Sequence, residues 1–356
     1  MTRDLVLDGL KGLAVVSVVF IHSVFWSGDS YTPAWLHGAC LWLDVPLFFF
    51  LAGWSFSKVP SPQKAWQNLW RLQRRYMVFV ALVWLGYLLS GHHLPPIRLV
   101  EWFLHDYHKA EWDDAVMGSM WFMRVYLGVS AVAITLIWFH ERAALPVALV
   151  LVAALFFSQL APDADWSAGW LPVVAFGMFY LPLFLLGYCH ATGQLPGYWS
   201  ALIALQAIWQ LCCTPDLRNA LIHLQSYKFP PQALYFAASW LSVCALLLMV
   251  RLRPVAWLFT RKPLLWMGRN AIYVFFAQGI SATLMYAPVG LLNDLQLQWY
   301  VLLPPMFALN LYCTIMGARL LKAVEERVEK NLPTTSPPRQ APVPAPAARR
   351  ATKRGA

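Results

Sequence analysis

Charged residues are scarce in this chain. Asp, Glu, Lys and Arg make up 12% of its 356 residues, whereas 59% are hydrophobic and 19 are Trp. A soluble domain carries about twice that share of charge. The composition therefore excludes a soluble globular protein, and neither an internal repeat nor a separate soluble domain is evident in the sequence.

Two further absences narrow the class of protein. The six cysteines show no metal-ligand spacing and fall mostly within apolar segments, so no metal site is expected. The first apolar segment is followed by FWSGDSY, which lacks the small-x-small pattern of a signal peptidase site. We therefore expect this segment to be retained as the first helix.

Apolar runs recur along nearly the whole chain, and each has roughly the 20 residues that a helix needs to cross a hydrocarbon core. The sequence thus predicts an all-α fold, a polytopic transmembrane bundle of about ten helices. The predicted spans are residues 12–28, 41–57, 76–91, 119–139, 144–160, 171–189, 198–213, 232–250, 265–287 and 299–321.

The distribution of charge predicts how the chain is oriented in the membrane. If both termini are cytoplasmic, 22 of the 27 Lys and Arg lie on the cytoplasmic side and most of the acids lie in the opposite loops. This is the asymmetry typical of multi-pass proteins of the plasma membrane, here a bacterial inner membrane. The net charge of +10 is then a topology signal, and no nucleic-acid partner is expected.

The C-terminal segment differs from the rest of the chain. The last 26 residues hold six Pro and five Lys or Arg but no acid and no aromatic residue. Such a composition cannot bury enough apolar surface to fold. We predict a transmembrane domain over residues 1–330 and a disordered, basic, Pro/Ala-rich cytoplasmic tail over 331–356, either solvated or lying on anionic membrane lipids.

A titratable side chain lies inside the first apolar segment, LKGLAVVSVVFIHSVFW. Eleven residues of helix place His22 about 16 Å from Lys11, which stands at the start of the segment. A neutral imidazole at this depth can accept a proton from a hydroxyl group, as a general base for acyl transfer must. The alternative is a histidine that only hydrogen-bonds a neighbouring helix.

A basic cluster precedes the third span. In WQNLWRLQRRY, Arg71, Arg74 and Arg75 recur at i, i+3 and i+4, so a helix projects them as a group that can bind phosphates. This arrangement suits an anionic donor arriving from the cytosol. The alternative is a set of positive-inside residues that reach lipid headgroups.

Several motifs together carry a resemblance to a known family. Besides Lys11 with His22 and the Arg-x-x-Arg of Arg71 and Arg74, the chain contains DVPLFFFLAGWSFSK, SMWFMR and MGRNAIYVFFAQ in that order. From about residue 3 to 280 it resembles the acyltransferase-3 family of integral membrane acyltransferases, which modify cell-surface carbohydrates using cytosolic acyl-CoA. It departs from the family in having Lys11 where Arg is common and Gln278 where His is common.

The resemblance implies a membrane O-acyltransferase that moves an acetyl or short acyl group from acyl-CoA, expected to be acetyl-CoA, to a hydroxyl of a surface or lipid-linked glycan. The donor is a substrate, and no tightly bound cofactor is expected. The residues assigned by this interpretation are His22 and Lys11 for catalysis, Arg71, Arg74 and Arg75 for the donor, and Asp29, Asp44, Trp121 and Arg124 for substrate contacts.

Two other functions are alternatives to an acyltransferase. A proton-coupled transporter would use His22 as a proton relay, but the sequence does not show the two related halves and broken helices typical of transporters. A non-catalytic membrane scaffold would leave His22 and the arginine cluster without a purpose.

Overall fold

The computed structural model describes residues 4–25, 31–91, 94–104, 116–157, 171–293, 295 and 297–331. These residues form an all-α fold of sixteen helices and contain no β-strand. The helices are α1 Leu5–Phe25, α2 Ala34–Cys40, α3 Val45–Phe56, α4 Pro62–Leu89, α5 Pro96–Phe103, α6 Trp121–His140, α7 Ala144–Phe157, α8 Leu171–Thr192, α9 Gly197–Cys213, α10 Leu217–Ile222, α11 Ala233–Met249, α12 Arg253–Phe259, α13 Lys262–Arg269, α14 Ala271–Leu284, α15 Tyr286–Asn293 and α16 Trp299–Asn331. Residues 332–356, nearly all of the predicted tail, lie outside the described residues.

Every predicted span overlaps a helix of this bundle. By length and composition, seven stretches of the described residues can cross a membrane, and the pair α11–α12, bent by 105°, is either an eighth, broken span or a re-entrant loop. One stretch, Gly118–Phe157, has 40 residues and would be about 60 Å long if straight. Both of its halves, α6 and α7, pack extensively on the 22-residue helix α8, so the chain must turn back between them. About ten passages, as predicted, agree with this architecture.

The second predicted span is broken. Helix α2 and a short 3₁₀ turn, Leu41–Leu43, precede Asp44, whose backbone is extended, and α3 starts immediately afterwards with Pro46 in its first turn. A break inside an apolar segment leaves backbone groups without helical partners, which a membrane tolerates only where they are covered by protein or line a cavity. The break therefore marks a place to look for a functional site.

Close helix packing depends on glycine. A Cβ atom on Gly53 of α3 would lie 1.8 Å from the carbonyl oxygen of Phe184, and one on Gly187 of α8 would lie 1.9 Å from that of Phe50. Small residues of this kind let two membrane helices approach backbone to backbone. Helices α3 and α8 accordingly form the most extensive helix pair in the described structure.

Ion pairs join the helices at one end of the bundle. Arg75 Nε of α4 lies 2.7 Å from Glu325 Oε1 of α16, and Arg269 Nε of α13 lies 3.3 Å from Asp8 Oδ2 of α1. We refer to the end that contains these four residues as the basic end. It is the end at which α1 begins and α16 finishes.

The glycine contact predicts a stability difference between two helical glycines. Gly53→Ala forces α3 and α8 apart and is expected to destabilise the protein by about 1–3 kcal/mol. Gly128→Ala in α6 is the matched control, because nothing lies within 4 Å of its added methyl group. Thermal unfolding in detergent measures both variants. Equal melting temperatures would contradict the tight α3–α8 packing.

Candidate functional site

A small cavity lies at the broken span, toward the end of the bundle opposite the basic end. Its volume is about 30 Å³, which is enough to hold ordered water. Polar, aromatic and aliphatic side chains from five segments of the chain surround it. We call it the His22 cavity; its lining residues are Val18, Ile21, His22, Asp44, Val45, Phe48, Ser119, Trp121, Phe122, Lys228 and Phe275.

His22 is held in the wall of this cavity by α1. Its Nδ1 atom is buried, and Gln278 of α14 lies beside the ring. The next residue, Ser23, accepts a hydrogen bond of 2.8 Å from Asn310 Nδ2 of α16, and Ser281 of α14 donates to Asn310 Oδ1 at 2.6 Å. This network ties three helices together one residue beyond His22, so the position of the imidazole is fixed by the bundle.

Asp44 and Lys228 form a buried ion pair in the same cavity. Lys228 Nζ lies 2.5 Å from Asp44 Oδ2, and the Tyr235 hydroxyl donates to the same oxygen at 2.7 Å. The Lys228 and Asp44 side chains are only 8% and 3% exposed. Because removing two charges from water is costly, an ion pair buried among membrane helices is a strong indication of a functional site.

Aromatic rings surround the Lys228 ammonium group. It lies 5.6 Å from the ring centre of Trp121 and 5.3 Å from that of Phe229, which is within the range of cation–π attraction. The sequence patterns give Lys228 no role in a site. The one local feature that could have indicated Lys228 as a site residue is its position as a single cation within the apolar and aromatic string SYKFPP. That position does not reveal a partner far away in the chain.

The structure brings some predicted site residues together and separates others. Asp44 and Trp121 share the cavity with His22. Lys11 is half-buried about three turns away on nearly the same side of α1. Arg124 is exposed and is not among the lining residues of the cavity. Asp29 lies outside the described residues.

The three arginines of α4 do not share one environment. Arg71 and Arg74 are exposed. Arg75 is paired with Glu325, its guanidinium lies 5.3 Å from the ring centre of Tyr273, and the Tyr273 hydroxyl donates to Glu325. Arg75 therefore connects α4 to α14 and α16, while Arg71 and Arg74 face outward at the basic end.

A second cavity lies closer to the basic end, between α3, α4, α6 and α8. Its volume is about 160 Å³, and its lining is apolar apart from Ser55, Asn68, Tyr126 and Ser130. We call it the α4 cavity. Arg71 lies one helical turn from Asn68, so the exposed arginine flanks the residues that line it.

No group of three or more His, Cys, Asp or Glu side chains within the described residues is arranged to hold a metal ion. The polar groups of the His22 cavity are instead one imidazole, one carboxylate and one ammonium, with hydroxyl groups around them. This set can accept a proton and stabilise a developing negative charge.

Comparison with known proteins connects this geometry to a family. A family model described as an acyltransferase domain, that of the acyltransferase-3 family, matches residues 4–318 and so includes both cavities. No curated protein and no solved structure matches the chain.

The buried ion pair predicts a non-additive effect on stability. Asp44→Asn or Lys228→Met alone leaves one buried charge without its partner and is expected to cost about 3–5 kcal/mol. The double variant removes both charges and should recover most of that loss. Lys58→Met is the control, because its side chain is 50% exposed beside Asp4 and should cost at most about 1 kcal/mol. Additive losses in thermal unfolding would contradict a direct pairing.

Proposed function

This chain belongs to the acyltransferase-3 family of integral membrane acyltransferases, and on that basis we propose that it moves an acetyl or short acyl group from cytosolic acyl-CoA to a hydroxyl of a surface or lipid-linked glycan. The observation that carries the proposal is the placement of His22, Asp44 and Lys228 around one cavity inside the bundle. Acetyl-CoA is the donor that we propose.

The proposed reaction is a direct transfer. His22 accepts the proton of the acceptor hydroxyl while the hydroxyl oxygen forms a C–O bond with the thioester carbonyl carbon. The C–S bond then breaks, and the proton passes from His22 to the leaving thiolate of CoA. The products are an ester and free CoA, so atoms and charge balance without a cofactor.

Lys228 has a charge-stabilising role in this proposal. Attack on the thioester places negative charge on the carbonyl oxygen, and an ammonium group in a water-poor cavity stabilises that charge strongly. Asp44 and Tyr235 hold one side of the ammonium group through the shared Asp44 oxygen. The three N–H donors of a lysine allow it to bind Asp44 and a substrate oxygen together.

The donor phosphates are assigned to the basic end. Arg71 and Arg74 are exposed there, and forked guanidinium groups suit phosphate. We assign Lys11, on the His22 side of α1, and Arg75 to the same electropositive region. This assignment requires the basic end to face the cytoplasm. It is consistent with cytoplasmic termini in a bacterial inner membrane, since the excess of Lys and Arg marks the cytoplasmic side.

The acceptor is then expected to enter from the opposite end of the bundle. Trp121, beside Lys228, is placed to contact it. Asp29 and Arg124 stay predictions as acceptor contacts. A proton-coupled transporter is the second candidate function, because the break at Asp44 lines a cavity that holds ionisable groups, a feature shared with transporter sites.

Separate binding and turnover measurements test the assigned roles. Purified protein in nanodiscs is expected to bind and consume acetyl-CoA. His22→Ala should keep acetyl-CoA binding but lose turnover by a factor of about 10²–10⁴, the usual contribution of a general base. His140→Ala, an exposed histidine at the end of α6, is the matched control and should behave as wild type.

Substitution of Arg71 and Arg74 should affect acetyl-CoA binding, which the His22 variant keeps. Arg71→Ala/Arg74→Ala is expected to weaken acetyl-CoA binding and thereby turnover, whereas Arg142→Ala, also exposed, should not. Absence of acyl-CoA binding by a well-folded wild type would instead favour the transporter.

Variants of the ion pair test whether Lys228 acts in the reaction, because they should change stability and turnover differently. The double variant Asp44→Asn/Lys228→Met should regain stability relative to Lys228→Met, because no lone charge stays buried. Its turnover should stay as low as that of Lys228→Met, since the group that stabilises the oxyanion is still missing. Recovery of turnover together with stability would show that the pair is only structural.

A further inference from the structure

The two cavities lie along one face of α3. Val45 and Phe48 line the His22 cavity, and Ala52 and Ser55 line the α4 cavity. These residues follow one another at steps of three or four, so they lie on a single face of the helix. The same face of α3 therefore passes from one cavity into the other.

Helix α6 shows the same arrangement. Phe122 lines the His22 cavity, while Tyr126, Ser130 and Ile134 line the α4 cavity at successive steps of four. Two helices thus present matching faces to both cavities. The two cavities are therefore aligned along a path between the basic end and His22.

Aromatic rings interrupt this path where the two sections meet. The ring centre of Phe122 lies 5.8 Å from that of Phe48, 5.5 Å from Phe49, 5.3 Å from Tyr126 and 5.2 Å from Phe275. Phe122 is 6% exposed. Its ring contacts residues of both cavities, as does the ring of Phe49, but Phe122 itself lines the His22 cavity and so forms the centre of the partition.

We propose that Phe122 is the residue that determines the length of the acyl group. This inference rests on the proposed function. The thioester must reach His22, and the space beside His22 is only about 30 Å³. An acyl chain longer than acetyl needs more room beside His22, and the ring of Phe122 fills the wall of the His22 cavity that faces the α4 cavity.

Removal of the ring should therefore relax the choice of donor. Phe122→Ala joins the two cavities and provides room for an acyl chain of several carbons. Its effect should depend on the length of the acyl group and leave the phosphate contacts of CoA unchanged, since Arg71 and Arg74 lie away from the partition on α4. The distinctive readout is the ratio of affinities for long-chain and short-chain donors.

The test measures binding and needs no acceptor. Dissociation constants of CoA, acetyl-CoA, butanoyl-CoA and hexanoyl-CoA are measured for the full-length protein in nanodiscs. Wild type is expected to bind hexanoyl-CoA about tenfold or more weakly than acetyl-CoA, a discrimination that a close-fitting cavity can provide. Phe122→Ala should reduce that ratio about tenfold or invert it, with CoA binding unchanged.

Two further variants make the test specific. Phe79→Ala removes a ring that is equally buried and stacks on Phe276 but lines neither cavity, so its ratio should equal that of wild type. Phe122→Leu opens less space, and it serves if the alanine variant does not fold; its ratio should shift about threefold in the same direction.

The outcomes separate the two proposals. An unchanged hexanoyl-to-acetyl ratio in a Phe122 variant that still binds CoA would overturn the role of Phe122 and leave the acyltransferase proposal standing. An equal shift in Phe79→Ala would also overturn it, since the effect would then be general loosening. Failure of wild type to bind CoA or any acyl-CoA would overturn the proposed function itself.

Discussion

The ion pair between Asp44 and Lys228 is the interaction on which the site depends. It joins the start of α3 to the segment between α10 and α11, and the Tyr235 hydroxyl extends it to α11. Neither charge would be stable at this depth alone. The pair therefore fixes the break before α3, the position of the ammonium group over Trp121, and the outer wall of the cavity that contains His22.

The packing of the helices gives this ion pair its surroundings. Glycines at the α3–α8 contact bring the two backbones together, and the aromatic residues of α3 and α6 then fill the space beside them. Phe48, Phe49 and Phe122 meet in this layer. A polar site of about 30 Å³ is thereby separated from a larger, mostly apolar cavity near the basic end.

The basic end is organised by different contacts. Arg75, Glu325 and Tyr273 connect α4, α16 and α14, whereas Arg71 and Arg74 stay exposed on the outward surface of α4. One sequence cluster thus divides into a structural arginine and two that are accessible to an anion. Helical geometry turns Arg74 about 100° away from Arg75, whereas Arg71 lies one turn before Arg75 on nearly the same side and differs from it in being exposed.

The sequence by itself determined the class of fold and the central histidine. Hydropathy and charge are local properties, so runs of apolar residues and the excess of Lys and Arg were sufficient to predict an all-α membrane bundle of about ten helices, and His22 stood out because an imidazole is rare within such a run. Only the tertiary structure decided which residues surround it. Lys228 pairs with Asp44, Arg75 pairs with Glu325, Arg124 is exposed and Phe122 lies between the two cavities because helices distant in the chain pack together. No spacing along a single segment encodes those contacts.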